Sequence, residues 1–468
     1  MSLIAILSVA VISLVVTLLL LFHSVNEGIQ TGWKKKLTAL RAPIQITPKD
    51  AYYHTKYYEI DRYASASDFS LKTLGEKLLS TGNPYNPEVD EELPSRLLSI
   101  ETNERDLVKE LYQTIKRTDW VIEDYESSAV VLQLHLDNGG HRSNLTQALY
   151  LTTFGEKNEK LFSLIEKPRP QDAPFLPFKQ EGLLHLPQNG ILLPKHFQES
   201  GAKVGDLGHI IYGAATFSSV QEMRYEVKIC GFYDAGVLSV GPKCAYVPKE
   251  IVRHINSSGQ ALPIDRRLTN GFHIYFNDFN KTPLFAEELN AALEENHLSE
   301  YFEVIPYYEY DFAKDLFTQF KSDSNLFNLV GIIILIVACC NIISLLTLLV
   351  NDKKKEIGIL QAMGATPSSI ALIFSFCGIF IGLFSVCIGT FLAFLILSNL
   401  DTLVQLMSRM QGYDLFNAAF YGDSLPTHFS GQALLFTLLT TPILSLLAGL
   451  VPALKAARMN PCEILRSE

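Results

Sequence analysis

The sequence predicts an α-helical membrane protein with four transmembrane helices and a large mixed α/β extracytoplasmic domain between helices 1 and 2. Three observations carry that expectation. Apolar runs occupy residues 3–22, 326–350, 370–397 and 433–451, each near the roughly 20 residues that cross a bilayer. The stretch 25–325 between the first and second runs is mixed in polarity and rich in turn residues. The segment KKKEIGILQAMGATP (353–367) sits between two of the runs, and a short basic loop between two spans belongs on the cytoplasmic face.

Each part follows in turn. The domain plan is 1–24 for the first span, 25–325 for the outer α/β domain with its stalk helices, and 326–468 for the other three spans and a cytoplasmic tail. The run Leu3–Phe22 is longer than the 7–15 apolar residues of a signal-peptide core, which favours a retained anchor. With loop 353–367 inside, the large domain lies outside and the C-terminus, with Lys455, Arg458 and Arg466, lies inside. Lys34, Lys35, Lys36 and Arg41 then fall outside, which is tolerated because long domains translocate largely regardless of charge. A net charge of −10 over 468 residues argues against nucleic acid as a partner.

Residues 25–41 continue the first span at helical spacing as a stalk, and Leu316–Phe327 forms a second stalk. Between them, strands are predicted at Ile44–Thr47, Ala129–Leu136, Ala148–Phe154, Gly190–Leu193, Arg224–Phe232, Ala245–Pro248 and Phe302–Ile305, with 201–206 continuing the β pattern. Helices are predicted near Leu71–Leu79, Leu107–Lys116 and Thr282–Glu295, while 68–125 reads as turn-rich and 167–188 as a surface loop. Loop 353–367 reads as a short helix ending at Gly364, with a new helix starting from Thr366 as N-cap and Pro367 in the first turn.

Five of the seven cysteines lie in or beside the spans as small packing residues. Cys230 and Cys244 fall symmetrically about a turn near Val237, leaving a cross-strand disulfide or two thiols as alternatives. The stripe Gly378, Gly382, Ser385 and Gly389 at three- and four-residue spacing lets helices approach closely in lipid; packing within the chain and a subunit interface both fit it. Asn341, Thr437, Thr440 and Thr441 suggest hydrogen bonds between helices. No span carries a charge near its centre, which weakens any reading as an ion pump.

Catalytic signatures are missing. The sequence holds no G-x-x-x-x-G-K-[ST], H-E-x-x-H, C-x-x-C or G-x-S-x-G. The outer histidines, among them His135, His141, His185, His209 and His254, are scattered without ligand spacing, so no metal site is expected. Asn144 and Asn256 fit the N-x-[ST] pattern. The expectation is a protein that is not an enzyme and binds no cofactor itself.

Several stretches then show a resemblance. CNIISLLTLLVNDKKKEIGILQAMGAT (340–366), FYGDSLPTHF (420–429), VKICGFYDAGVLSVGPKCAYV (227–247), HSVNEGIQTGWKKKL (23–37) and the ending LVPALKAARMNPCEILRSE resemble the FtsX-like permease family of ABC transporters, and within it the lipoprotein-releasing LolC/LolE proteins. The resemblance implies a MacB-like periplasmic domain and a cytoplasmic ABC ATPase dimer that binds ATP and Mg. It also implies a second permease copy or paralogue, a periplasmic lipoprotein carrier, and lipoprotein cargo drawn from the inner membrane.

Residue by residue, it implies a coupling helix at 352–364 in which Glu356, Ile357, Leu360, Met363 and Gly364 dock on the ATPase; independently, Ile357, Leu360 and Gly364 share one helix face. A loop helix packed on its own bundle is the plain alternative. The resemblance places a carrier-contacting hook at Gly213, Ala214, Ala215, Thr216, Phe217, Ser218, Ser219, Val220, Gln221, Glu222, Met223 and Arg224, where an ordinary hairpin fits equally. It places lipoprotein access along Val11, Val15, Leu19 and Phe22 of the first span and Leu326, Leu329, Ile333 and Ile336 of the second, residues that packing alone also explains. Two rival readings are a MacB-like export permease and an FtsX-like scaffold that signals to cell-wall enzymes.

Overall fold

The computed structural model describes residues 3–55, 58–59, 72–79, 88–90, 92, 106–138, 141–155, 159–166, 177–180, 183–216, 218–234, 244–259, 270–413 and 429–457. The chain divides into two compact units, Trp33–Phe317 and Met1–Gly32 together with Thr318–Glu468. In chain order, α1 (Leu3–Leu40) precedes β1 (Ile44–Pro48), α2 (Asp50–Tyr53), α3 (Leu74–Leu79), α4 (Leu107–Ile115), β2 (Val121–Asn138) and β3 (His141–Thr153). Next come α5 (Glu159–Ser163), β4 (Phe178–Gln180), β5 (Leu183–His185), β6 (Gly190–Pro194), α6 (His196–Glu199), β7 (Leu207–Ala215), β8 (Val220–Tyr233) and β9 (Cys244–Val247). Then follow α7 (Lys249–Ser258), β10 (Asn270–Tyr275), α8 (Thr282–Glu295) and β11 (Phe302–Pro306). The helices α9 (Asp311–Asp352), α10 (Lys354–Ala362), α11 (Pro367–Ser398), α12 (Leu400–Gln411) and α13 (Gly431–Ala457) complete the order.

In the α/β unit, nine strands run in the order β11-β1-β10-β2-β3-β9-β6-β8-β7, and β7 also pairs with β2. That extra pairing closes β2, β3, β9, β6, β8 and β7 into a ring. Strand β2 is long enough to work twice: Val121–Glu126 pair with β10, and Ser127–Asn138 pair with β3. Inside the ring, alternate residues Val130, Leu132, Leu134 and Leu136 of β2 meet Ile191, Ile210, Val227, Ile229 and Ala245, capped by Ile251, Val252 and Ile255 of α7. Period-two alternation puts those side chains on one face, and each buried aliphatic contributes about 1.5–3 kcal/mol. A second core packs Ile44, Ile46, Phe272, Ile274, Phe302 and Val304 against α4 and α8 through Val108, Leu111, Leu289 and Leu293.

Four expectations for this unit change or are decided. Residues 201–206 form a turn, not strand: Gly201 and Gly205 adopt φ of 100° and 95°, which favours glycine and interrupts β structure. The turn-rich stretch 68–125 ends in the start of β2, and the loop 167–188 contains the short β4–β5 hairpin. Cys230 and Cys244 are free and buried; strand β6 lies between β8 and β9 in the sheet, so the two thiols are not cross-strand neighbours.

In the helical unit, α1, α9, α11 and α13 are long and apolar enough to cross a membrane. Their shared core comprises Ile12, Val16, Leu20, Ile342, Leu346, Val386, Ala393, Ala433 and Ala448. Outward faces carry Phe376, Phe380, Phe384 and Phe391 exposed, as a helix facing hydrocarbon requires. The small-residue stripe of α11 is taken up within the chain. A Cβ on Gly378 would lie 2.8 Å from the Ser445 carbonyl oxygen, one on Gly382 2.6 Å from Ser445 Oγ, and one on Gly389 2.7 Å from the Ser13 carbonyl oxygen. Ser385 Oγ donates to the Ile381 carbonyl at 2.7 Å. Thr437 and Thr440 donate to carbonyls of their own helix, at Ala433 and Phe436, and among the described residues neither bonds another helix.

Candidate functional site

The loop between α9 and α11 is a built structure. Lys353 alone separates α9 from α10. At the far end Gly364 takes φ +99°, its N–H bonds the Gln361 carbonyl and the Ala365 N–H bonds the Leu360 carbonyl, both at 3.0 Å. Those two bonds are the Schellman pattern, which satisfies the last carbonyls of a helix and reverses the chain. Thr366 then caps α11, its Oγ1 accepting the Ser369 N–H at 3.3 Å, with Pro367 in the first turn.

Burial gives α10 two distinct sides. Ile357 is 3% exposed and packs against Val350, Ile370 and Phe374. Ile359, Leu360 and Met363 point away from the bundle, exposed by 50%, 45% and 79%. Glu356, on the outward side, pairs with Lys353. Ile357 therefore packs the helix onto its own bundle, as the plain alternative of a loop helix on its own bundle would have it. Ile359 is on the exposed side. It lies four residues before Met363 and three after Glu356, a spacing that marks one helix face; the signal was present in the sequence. Exposed isoleucine, leucine and methionine beside Lys354 and Lys355 form a small apolar knob in a basic collar.

The residues proposed for lipid access separate. Phe22, Leu326, Leu329, Ile333 and Ile336 are exposed, and Phe22 stacks on Phe327 with ring centroids 6.0 Å apart. Val11 and Val15 are half-buried. Leu19 is buried, with its Cδ2 3.2 Å from where a Cβ on Gly331 would lie; it packs α1 against α9 and does not line an open wall. Higher on the same helix pair, Gln30 Nε2 donates to Ser324 Oγ at 2.9 Å and Asn26 Nδ2 at 3.3 Å.

Residues 213–216 and 218–224 lie at the tip of the β7–β8 hairpin, paired from Leu207↔Lys228 to Ala215↔Val220. Thr216 Oγ1 accepts the Ser219 N–H at 3.1 Å and so closes the turn; Phe217 lies outside the described residues. Val220 and Met223 are exposed, and Arg224 forms an ion pair with Glu222 at 2.8 Å. Gly208–Ile211 of β7 also pair with β2, whereas the tip pairs with β8 alone.

Two polar constellations were not legible from spacing. Lys249 Nζ lies 3.0 Å from both Glu76 Oε1 and Asp124 Oδ2, Arg253 pairs with Glu76, and Asn256 Nδ2 donates to Glu126 Oε1 at 2.9 Å. This seam ties α3, β2 and α7 together and turns Asn256 inward. Burial pushes the Glu126 carboxyl up to about 7, opposed by the Asn256 hydrogen bond and Lys249. On the outer face of the ring, His135 Nε2 and His209 Nδ1 stand 3.1 Å apart, so the histidines are not all scattered.

Residues 328–461, which hold most of α9 and all of α10 to α13, match the FtsX-like permease C-terminal family, so the similarity is to an FtsX-like permease. Within that class the chain is of LolC/LolE type by similarity. It is 27% identical over 220 residues to the lipoprotein-releasing system transmembrane protein LolC of Haemophilus influenzae, covering 47% of this chain and 50% of that one. It is 33% identical over 137 residues to LolE of the same organism, covering 29% and 33%, and 26% identical over 167 residues to LolC of Xylella fastidiosa, covering 35% and 40%. The matched stretch thus spans half or less of the length of these relatives.

Proposed function

We propose that this chain is the permease subunit of an ATP-driven transporter that extracts lipoproteins from the outer leaflet of the inner membrane and hands them to a periplasmic carrier. The supporting observation is the two-sided α10, anchored inward by Ile357 and presenting Ile359, Leu360 and Met363 outward. An ATPase dimer seats on that knob and supplies all nucleotide and Mg chemistry; a second copy or paralogue of the permease completes the pair. In this reading α10 and the C-terminus are cytoplasmic, and the α/β unit is periplasmic, with the β7–β8 tip offered to the carrier.

A lipid chain costs about 0.8 kcal/mol per CH₂ to remove from the bilayer. Two or three acyl chains therefore need continuous shielding and an external source of work. The permease needs no reaction of its own. It moves, and the exposed faces of Phe22, Leu326, Leu329, Ile333 and Ile336 receive the chains.

The test has two arms. Affinity purification in detergent should recover an ABC ATPase with the wild type and lose it with Leu360→Asp or Met363→Asp; retained ATPase would contradict the docking assignment. Depletion of the protein should leave lipoproteins in the inner membrane, and normal sorting would remove the assigned cargo while leaving the coupling intact.

A further inference from the structure

We propose that His135 and His209 form a binding site for a divalent transition metal on the outer face of the strand ring. Strand β2 carries His135 and strand β7 carries His209; the register pairs His209 with Gln133, so the two histidines are diagonal neighbours on one face. Such diagonal neighbours lie within reach of long side chains.

Their facing nitrogens, His135 Nε2 and His209 Nδ1, are 3.1 Å apart, with rings crossing at 74°. With metal–nitrogen bonds of 2.0–2.1 Å, that separation subtends about 100° at a shared ion, between square and tetrahedral angles. The outer ligand shell is in place on one side. His135 Nδ1–H donates to Asn144 Oδ1 at 2.9 Å, which holds the proton on Nδ1 and leaves the Nε2 lone pair facing His209. Fixing a ligand's tautomer through its other nitrogen is what supporting residues of metal sites do.

Binding needs no proton release. His209 moves its proton from Nδ1 to Nε2, and both lone pairs then converge. Among the described residues no group of three or more His, Cys, Asp or Glu is gathered for a metal, so water completes the shell. Imidazole ligands select Cu²⁺, Ni²⁺ and Zn²⁺ over Mg²⁺ and Ca²⁺. The site spans β2 and β7 within the Gly208–Ile211 pairing, at the root of the β7–β8 hairpin.

The experiment uses the full chain in detergent without a histidine tag. Titration with CuCl₂ and ZnCl₂ should show one site per chain, tighter for Cu²⁺, with the Cu²⁺ electron paramagnetic resonance spectrum showing two nitrogen ligands. His135→Asn and His209→Asn should each weaken binding at least tenfold and remove one nitrogen coupling, while His54→Asn leaves both unchanged. Both histidines are at the surface, so circular dichroism and gel filtration should match the wild type. Wild-type affinity in the double variant, or a spectrum without nitrogen ligands, would overturn the site.

Discussion

Replacing Ile357 with alanine separates the seating of α10 from its contact with a partner. Ile357 is fully enclosed by Val350, Ile370 and Phe374, and truncating such an isoleucine costs about 2–4 kcal/mol. Because α10 is a nine-residue helix held by this anchor and by its two ends, the loss falls on local docking and not on the bundle. At about 1.4 kcal/mol per tenfold change, the ratio of docked to undocked helix falls roughly 30- to 700-fold. Hydrogen exchange of the 354–362 amides measures it directly, since opening of this segment precedes exchange. Ile357→Ala should accelerate exchange there by that factor and leave α11 unchanged. Leu360→Ala, at an exposed position, should change it little, because surface substitutions stay within about 0.5 kcal/mol. If both variants exchange at the same rate, the inward and outward sides have been misassigned.

Three further outcomes follow. Gly378→Ala and Gly382→Ala should both destabilise the helical unit, since a Cβ at the first lies 2.8 Å from the Ser445 carbonyl oxygen and at the second 2.9 Å from Ser445 Cβ, whereas Gly431→Ala, with open space around it, should be silent; overpacking costs about 1–3 kcal/mol, and melting in detergent separates the two classes. Glu126→Gln should flatten the pH dependence of stability: a carboxyl raised to about 7 in the folded state binds its proton there while the unfolded group has lost it. Native stability at that site is then full below about pH 4.5 and falls by roughly 3 kcal/mol on going to pH 7 and above, so parallel wild-type and variant curves would refute it. Cys230, buried, with its thiol pushed up to about 12 by that burial, should resist maleimide at pH 8 until the protein is unfolded, and unfolding without reductant should expose both Cys230 and Cys244; labelling of neither would mean that they are joined.

What the sequence disclosed and what it hid divide along a physical line. Long apolar runs, Thr366 with Pro367, and the helix Thr282–Glu295 depend on neighbours in the chain, and all were legible. Gly364 was legible too, because a reversal after a helix needs φ above zero and glycine supplies it. The burial of Ile357 was not legible, because helical periodicity identifies faces without saying which one meets the bundle; that depends on Val350, Ile370 and Phe374, which lie on two other helices. The strand ring was hidden for the same reason. Nothing local in Gly208–Ile211 announces that it pairs with β2, and without that pairing His135 and His209 are separate residues. For Cys230 and Cys244, symmetry about a turn left a disulfide and two thiols both open, and the intervening β6 removes the adjacency that a cross-strand disulfide needs.

The short connections on either side of α10 bear on how it can work. One residue joins it to α9, and Met363, Gly364, Ala365 and Thr366 are interposed before α11, each with a defined hydrogen bond or φ. A linker of flexible residues would let a partner move α10 without moving anything else. Here the helix ends are closed by backbone bonds, Ala365 is drawn into the same apolar cluster as Ile357, and little slack is left to absorb a displacement. A push on Met363 is therefore carried into both α9 and α11. Under the proposed function, inserting two glycines after Gly364 should preserve ATPase binding, because the outward knob is untouched, yet uncouple nucleotide turnover from cargo release. Coupled release in that variant would mean that force travels by some route other than this turn.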